Sequence, residues 1–459
     1  MRSPAVYIET FGCQMNEYDT QLVRSILKSS GYGFADSPET ADIVLLNTCA
    51  IRENAHNKVY GHIGRLKHLK HEKGLVIGVL GCMAQNLKKD LLTPNSLIDV
   101  LAGPDSYRSL PELLQHAGEG RKELAADRSE YETYSDITPD PVPGVTAWIA
   151  VMRGCDNFCT FCVVPYTRGR ERSRPLNNVL AEAEALAASG CKQITLLGQN
   201  VNSYHDGNHD FADLLLAVGN VRGIERVRFM SPHPKDFPEK LLDAVAGHPR
   251  ISKHIHLPLQ AASDRILELM GRTYTRREYC ALVSRIRALW PDMVLTTDII
   301  VGFCSETEAD YQETCDHLKD IDYHSFYVFK YSERKNTIAA RKLKDDVPEA
   351  VKSERATRLV ELQRAISLKK NRAMIGTTMQ VLIEGESKRS SERWMGRTDG
   401  SIVTVFPKSG QAPFQDHLVA HAPVHAEKSP VPSSSLKPGD LAKVRITDAT
   451  VTTLYANSL

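Results

Sequence analysis

The sequence predicts a multidomain α/β protein: an N-terminal parallel α/β domain, a central incomplete (β/α)6 barrel and a small antiparallel β-barrel at the C-terminus. Three observations predict this. Apolar strand-like runs alternate with helix-length segments in the first third of the chain and again through its centre, the pattern of parallel sheets with crossover helices. From Thr378 to Leu459 the pattern changes to short alternating strands. With 459 residues and 42% hydrophobic content, the chain is long enough for about three domains with cores of their own.

In the N-terminal domain, residues 1–135, the strands are Val6–Phe11, Ile43–Leu46 and Leu75–Leu80, with helices expected over Asp19–Ser30 and Asn54–His71. Each strand is followed by a cysteine, in turn Cys13, Cys49 and Cys82, separated by 35 and 32 residues. Parallel strands end on one edge of a sheet, where ligands usually bind, so these thiols are candidates to converge on one metal cluster. Spacing alone leaves open the alternative of three buried core thiols. Thr133–Gly144, rich in Asp, Pro and Thr, reads as an interdomain linker.

The central domain, residues 144–372, repeats a strand-then-helix unit six times. Its strands are Ala147–Met152, Gln193–Leu197, Arg226–Met230, Lys253–Leu257, Val294–Val301 and Tyr323–Tyr331. Helices are expected over Asn178–Ala188, Phe211–Val218, Pro238–Ala246, Arg276–Leu289 and Glu306–Lys319. In such barrels chemistry gathers at the carboxyl ends of the strands. At the end of the first strand lies Cys155-x3-Cys159-x2-Cys162, beside the polar loops that begin at Gly198, Ser231, Pro258 and Gly302. Three closely spaced thiolates can hold three irons of a 4Fe-4S cluster and leave the fourth open to a substrate or cofactor. A zinc knuckle would require a second ligand pair, and the chain offers no such pair downstream.

Pro348–Met374 is expected to be a charged helix leading to the C-terminal barrel, residues 375–448, with strands at Met379–Ile383, Ser401–Val405 and Leu441–Ile446. Lys408–Pro438 reads as an excursion from that barrel, and its histidines as loop residues. Charges nearly cancel, 57 Lys+Arg against 56 Asp+Glu, so a polyanion must be bound by a local basic patch. Arg168, Arg170, Arg172 and Arg174 alternate and would share one face of an extended segment, a candidate phosphate or carboxylate patch. The aromatics Tyr323, Phe326, Tyr327, Phe329 and Tyr331 read as strand core, with base stacking as the alternative. Neither a signal h-region nor a membrane span is apparent, which suggests a cytoplasmic protein without membrane contact. Ten cysteines in a reducing compartment point to metal rather than to disulfides.

Asn47–Arg52, the cysteine loop continuing through Val163-Val164-Pro165-Tyr166-Thr167-Arg168-Gly169, and Leu196–Tyr204 resemble the methylthiotransferases of the radical S-adenosylmethionine superfamily. The likeness covers nearly the whole chain. It implies a C-terminal RNA-binding TRAM barrel and two 4Fe-4S clusters, an auxiliary one on Cys13, Cys49 and Cys82 and a radical-generating one on Cys155, Cys159 and Cys162. It further implies S-adenosyl-L-methionine as cofactor, contacted by Phe161, Gly198 and Gln199. The implied reaction methylthiolates carbon 2 of an N6-isopentenyladenosine beside the anticodon, with the tRNA anticodon stem-loop as substrate, an external electron donor and a monomeric enzyme. Its unactivated C–H bond is beyond acid–base side chains and demands a radical cofactor. No catalytic residue beyond the cluster ligands is implied. A sibling activity, on a threonylcarbamoyl-modified adenosine or on an aspartate of a ribosomal protein, would use the same cofactors. The chain departs from the family pattern at Cys304-Ser305 and at Ala261-Ala262-Ser263, both in loops of the barrel mouth.

Overall fold

The computed structural model describes residues 3–50, 53–93, 95–140, 142, 144–408 and 436–459. The N-terminal domain is a six-stranded parallel sheet in the order β2-β1-β3-β4-β5-β6. In chain order its elements are β1 (Ala5–Phe11), α1 (Gln14–Ser29), β2 (Gly33–Phe34), β3 (Ile43–Thr48), α2 (Glu53–Arg65), α3 (Lys67–Lys73), β4 (Val76–Gly81), α4 (Cys82–Leu87), β5 (Val100–Ala102), α5 (Leu110–Gly118) and β6 (Glu123–Ala125). The strands β2, β5 and β6, absent from the sequence reading, have two or three residues each and carry no period to detect. The expected long second helix is instead α2 and α3, with Leu66 between them. Strands β3 and β4 are buried along their whole length, as the centre of a parallel sheet must be.

The central domain begins with β7 (Thr146–Ala150), β8 (Met152–Arg153), α6 (Val164–Thr167), β9 (Arg172–Ser173), α7 (Leu176–Ala188), β10 (Gln193–Leu197), α8 (Phe211–Gly219) and β11 (Arg226–Phe229). It continues with α9 (Glu239–Gly247), β12 (His254–His256), α10 (Asp264–Leu269), α11 (Arg276–Leu289), β13 (Val294–Val301), α12 (Glu308–Asp320), β14 (Ser325–Lys330), α13 (Ile338–Lys342) and α14 (Glu349–Ala373). The six barrel strands form two parallel sheets, β11-β10-β7 and β12-β13-β14, rather than one continuous arc. A single parallel bridge, Val227 to Ile251, joins them, because β12 has only three residues. The outward residues Ile149, Ile194, Leu196, Val227, Phe229, Ile299 and Phe326 are buried in one core with the helices. The inward face is polar. Arg228 Nη2 lies 3.0 Å from His254 Nδ1, His254 and His256 both reach Thr296 Oγ1, and His256 Nε2 lies 3.3 Å from Asp298.

The C-terminal barrel closes as β15-β16-β17-β19-β18, comprising β15 (Thr378–Ser387), β16 (Ser390–Thr398), β17 (Val403–Pro407), β18 (Leu441–Ala449) and β19 (Thr453–Ser458). It is not wholly antiparallel: β17 and β19 run parallel. Five strands cannot close a ring with every neighbour reversed, so one pair must run the same way. The predicted excursion lies, apart from its ends, outside the described residues. This barrel docks at the amino end of the central strands, where Arg226 Nη1 donates to Arg397 O at 3.0 Å and pairs with Asp399. Asn371, near the end of α14, donates to Thr450 O and Val451 O.

The N-terminal and central domains are joined through a buried carboxylate. Asp19 on α1 accepts from Arg153 Nη2 at 2.6 Å, from Arg168 Nη2 at 2.7 Å and from the Tyr107 hydroxyl at 3.3 Å, and its side chain is fully buried. Burial opposes ionisation, yet the two guanidiniums outweigh it and hold the Asp19 carboxyl below the ordinary carboxylate value. Two further ion pairs extend the seam: Arg172 grips Asp105 bidentately at 3.0 Å, and Arg174 pairs with Glu182 at 2.7 Å beside the Tyr18 hydroxyl. The linker is part of this seam. Tyr134 is buried, its hydroxyl donates to Pro104 O at 3.0 Å, and the Arg153 guanidinium lies 4.7 Å above its ring. Removing the anion from such a site leaves two buried cations unpaired. Asp19→Ala is therefore expected to cost about 3–5 kcal/mol, read as a lowered denaturant midpoint. Arg170→Ala, on the exposed side of the same segment, is expected to leave the midpoint near that of the wild type.

Candidate functional site

The three N-terminal cysteines stand where the sheet ends. Cys13 follows β1 in an extended conformation at the start of α1, Cys49 follows β3, and Cys82 opens α4. Polar side chains tie the three turns together. Asn16 Nδ2 donates to Asn47 Oδ1 at 3.1 Å and to Thr48 O, Asn47 Nδ2 donates back to Asn16 O, and Cys13 Sγ lies 3.3 Å from Asn16 Oδ1. Gly81 has φ +85°, and a Cβ there would strike Asn47 Oδ1 and Thr48 O, so only glycine lets β4 deliver Cys82 this close. A hydrogen bond with Cys49 lowers the Cys13 thiol to about 6 against the effect of burial, with help from Arg168. Burial pushes the Cys82 thiol up, and Arg168 opposes it. Arg168 Nη1 is buried and has no hydrogen-bond partner among the described residues. A donor aimed at no protein acceptor, beside thiols held by three strand ends, fits an anionic iron–sulfur cluster.

The second trio lies on the loop after β8. Gly154 has φ +80°, and its backbone passes so close to Arg170 O that no side chain fits. The loop is fastened on several sides: Cys155 N donates to Gly169 O at 3.1 Å, Thr160 N to Met270 O at 2.8 Å, Thr160 Oγ1 to Leu269 O at 2.8 Å, and Ala339 N to Thr160 O at 2.7 Å. Burial raises the Cys155 thiol to about 11 and the Cys162 thiol to about 12. Arg272 Nη1 donates to Cys159 Sγ at 3.4 Å and Nη2 to Pro258 O at 2.9 Å. These thiols must lose protons to bind iron, so loading is coupled to proton release. Among the described residues no three Cys, His, Asp or Glu side chains converge on a point that would hold a single metal ion. A cubane does not need such a point, because each thiolate binds a different iron.

The two trios are neighbours. Val163, the residue after Cys162, is buried against Cys82 and Ala50, and the Thr167 hydroxyl hydrogen-bonds the Cys82 thiol. The loop that carries one set of cysteines thus supplies the packing for the other.

The remaining site candidates separate clearly. The Phe161 ring meets Phe303 edge-on at 6.3 Å and packs on the barrel core. A Cβ on Gly198 would strike Met152, so this glycine allows β10 to turn tightly under the cysteine loop. Next to it, Gln199 Oε1 and Asn200 Oδ1 are buried acceptors without partners among the described residues, a pair suited to an ammonium donor. The arginine patch is corrected: Arg168, Arg172 and Arg174 are buried on carboxylates of the domain seam, and only Arg170 is exposed, paired with Asp156 at 2.6 Å. The segment is not extended throughout, since Arg168 ends α6 and only Arg172–Ser173 form a strand, so the four arginines do not share one face. Sequence reasoning missed Asp19, although the apolar positions Met15, Leu22 and Ile26 put it on the buried side of α1. It also missed Arg272, which no pattern marks. Four mouth residues other than glycine have positive φ: Phe158 at +47°, Ser231 at +61°, Gln260 at +77° and Ser305 at +59°. The last two belong to the loops that depart from the family pattern.

Comparison with known proteins defines the class first. Residues 149–318 match the Radical SAM superfamily, residues 5–103 match the uncharacterized protein family UPF0004, and residues 372–459 match the TRAM domain. Among solved structures, the radical S-adenosylmethionine methyltransferase TsrM from Kitasatospora setae shares the fold with a TM-score of 0.54 at 16% identity, over 74% of this chain and 77% of that one. The cobalamin-dependent S-adenosylmethionine radical enzyme OxsB has a TM-score of 0.51 at 14% identity, over 79% of this chain and 56% of its own. The tRNA-2-methylthio-N(6)-dimethylallyladenosine synthase of Chloroherpeton thalassium is 45% identical over 457 residues, 99% of this chain and 96% of that protein. The synthase of the same name from Porphyromonas gingivalis is 45% identical over 88% of this chain and 89% of its own. The chain therefore belongs to the tRNA-2-methylthio-N(6)-dimethylallyladenosine synthase family.

If Arg168 serves the N-terminal trio, Arg168→Met is expected to lower the iron and sulfide bound by a Cys155→Ala/Cys159→Ala/Cys162→Ala protein, in which only that trio remains. Iron and acid-labile sulfide analysis checks it.

Proposed function

We propose that this protein methylthiolates carbon 2 of N6-isopentenyladenosine beside the anticodon of tRNA, in the cytoplasm, as a monomer fed by an external electron donor. Its cofactors are two 4Fe-4S clusters and S-adenosyl-L-methionine. The observation that carries this reading is the contact of two cysteine trios from different domains through Val163. When bound, the clusters and S-adenosylmethionine supply the hydrogen-abstracting and sulfur-donating chemistry that an unactivated C–H bond demands.

The chain's own residues hold and insulate these groups. Cys155, Cys159 and Cys162 would hold the radical cluster through three irons, and Cys13, Cys49 and Cys82 the auxiliary one. Gln199 and Asn200 would accept from the ammonium of the methionine moiety, and Gly198 keeps their strand end close beneath the loop. Phe161 closes the apolar side of the mouth with Phe303, which keeps water from the reacting groups. Arg272 and Arg168, both buried, place a positive charge beside each thiolate set. Among the described residues no helix is long and apolar enough to cross a membrane.

The division of labour is testable. Anaerobically reconstituted Cys159→Ala is expected to lose cleavage of S-adenosylmethionine to 5′-deoxyadenosine. Cys49→Ala is expected to keep that cleavage and to yield no methylthio-isopentenyladenosine in nucleosides digested from isopentenylated tRNA. Mass spectrometry of both products decides; loss of cleavage in the Cys49 variant would contradict the assignment.

A further inference from the structure

The inward face of β14 carries two large aromatics that stay about half exposed. Tyr327 is 54% exposed and Phe329 47%, whereas Phe326 on the opposite face is buried among the helices at 2%. The parallel register sets Asp298 beside Tyr327 and Ile300 beside Phe329. The His256 ring meets Tyr327 at 5.9 Å and 63°, and His256 Nε2 lies 3.3 Å from Asp298. These five side chains make a wall that is apolar and aromatic toward the carboxyl end of the strand and acidic below.

With α14 alongside it, Gln363 Nε2 donating to Ser325 Oγ and Ser367 Oγ to His324 O, both at 2.9 Å, strand β14 is the last of its sheet. At its carboxyl end, the loop after β14 reaches the N-terminal domain through Lys335 to Asp90 at 2.9 Å and Asn336 to Asn86. At the amino end of the barrel sits the TRAM domain. The wall therefore lies between the cysteine loops at the carboxyl end of the strands and the TRAM domain at the amino end.

We infer that Tyr327 and Phe329 form the subsite for the N6-alkylated adenine of the RNA substrate, and so select an uncharged, apolar N6 substituent; this rests on the reaction proposed above. Aromatic faces stack on a splayed-out base, and Ile300 beside Phe329 offers an alkenyl group an apolar surface to leave water for. Asp298 faces the same space, so an N6 substituent ending in a carboxylate meets a like charge, an element that acts against the sibling substrate.

The test uses the reconstituted enzyme and two labelled anticodon stem-loops that differ only in the isopentenyl group of the target adenine, with affinities from fluorescence anisotropy. The wild type is expected to prefer the isopentenylated RNA. Tyr327→Ala and Phe329→Ala are each expected to weaken binding of that RNA by about tenfold, bringing the ratio of affinities toward one. Tyr327→Phe is expected to keep the ratio, as is Tyr131→Ala, an exposed aromatic outside the barrel. Iron content and thermal midpoint report folding. A wild-type preference that survives in both alanine variants overturns the subsite and leaves the methylthiolation reading standing. Loss of preference in Tyr327→Phe overturns stacking in favour of a hydroxyl contact. A wild type with neither preference nor methylthiolated product overturns the reading on which the subsite rests.

Discussion

Everything at the mouth of this protein hangs on one buried anion. Asp19 stands on the helix that Cys13 begins, and its two partners bracket the second cysteine loop, Arg153 just before Cys155 and Arg168 just after Cys162. One carboxylate thus ties the first ligand of one set to both flanks of the other. A buried pair of this kind is weak evidence for net stability, because desolvation offsets much of the attraction. What it does supply is register. Neither guanidinium can leave without stranding a charge, and Val163 packs against Cys82 across the same seam.

The polarity of the seam follows from the same logic. Three of four alternating arginines are spent on carboxylates of the interface, Asp19, Asp105 and Glu182. A chain with near-neutral overall charge thereby buries cations that would otherwise have offered phosphates a stripe of positive charge. Recognition of RNA must then come from the TRAM domain, from exposed cations elsewhere and from shape and stacking. The polar column inside the barrel, from Arg226 at the TRAM contact through Arg228 and His254 to His256 and Asp298, fills the lower part of the barrel interior. It leaves the aromatic wall above it facing open space.

How far these features can be read from sequence depends on how local their cause is. The strands with apolar runs buried along their whole length, β3 and β4, stand out because burial on both faces writes itself into consecutive residues. Helix α11 coincides with its expected span Arg276–Leu289, and Thr275 and Glu278 form a capping box at its start. Strands β2, β5 and β6 are too short to show a period, and their pairing is decided by neighbours distant in sequence. The cysteine triplet announces itself through spacing, whereas Cys13, Cys49 and Cys82 do so only through their shared position after strands. For Tyr327 and Phe329, alternation showed that they share a face with Tyr331, yet Tyr331 is buried at 4% and they are not. Exposure of that face comes from the missing strands of an open barrel, a property of topology that no residue in β14 encodes.

Strain at the mouth completes the argument about rigidity. Phe158, Ser231, Gln260 and Ser305 each hold a left-handed backbone, a conformation that costs on the order of 1–3 kcal/mol for a side chain other than glycine and persists only where surroundings impose it. The imposition is visible at three of these loops. Ser305 N is held by Asp346 at 2.7 Å, Gln260 N by Asp298 O at 2.9 Å, and the segment after Phe158 by the Thr160 bonds to Leu269 and Met270. Loops anchored in this way are costly to rearrange. More of the conformational cost of recognition then falls on the RNA, whose target base must unstack.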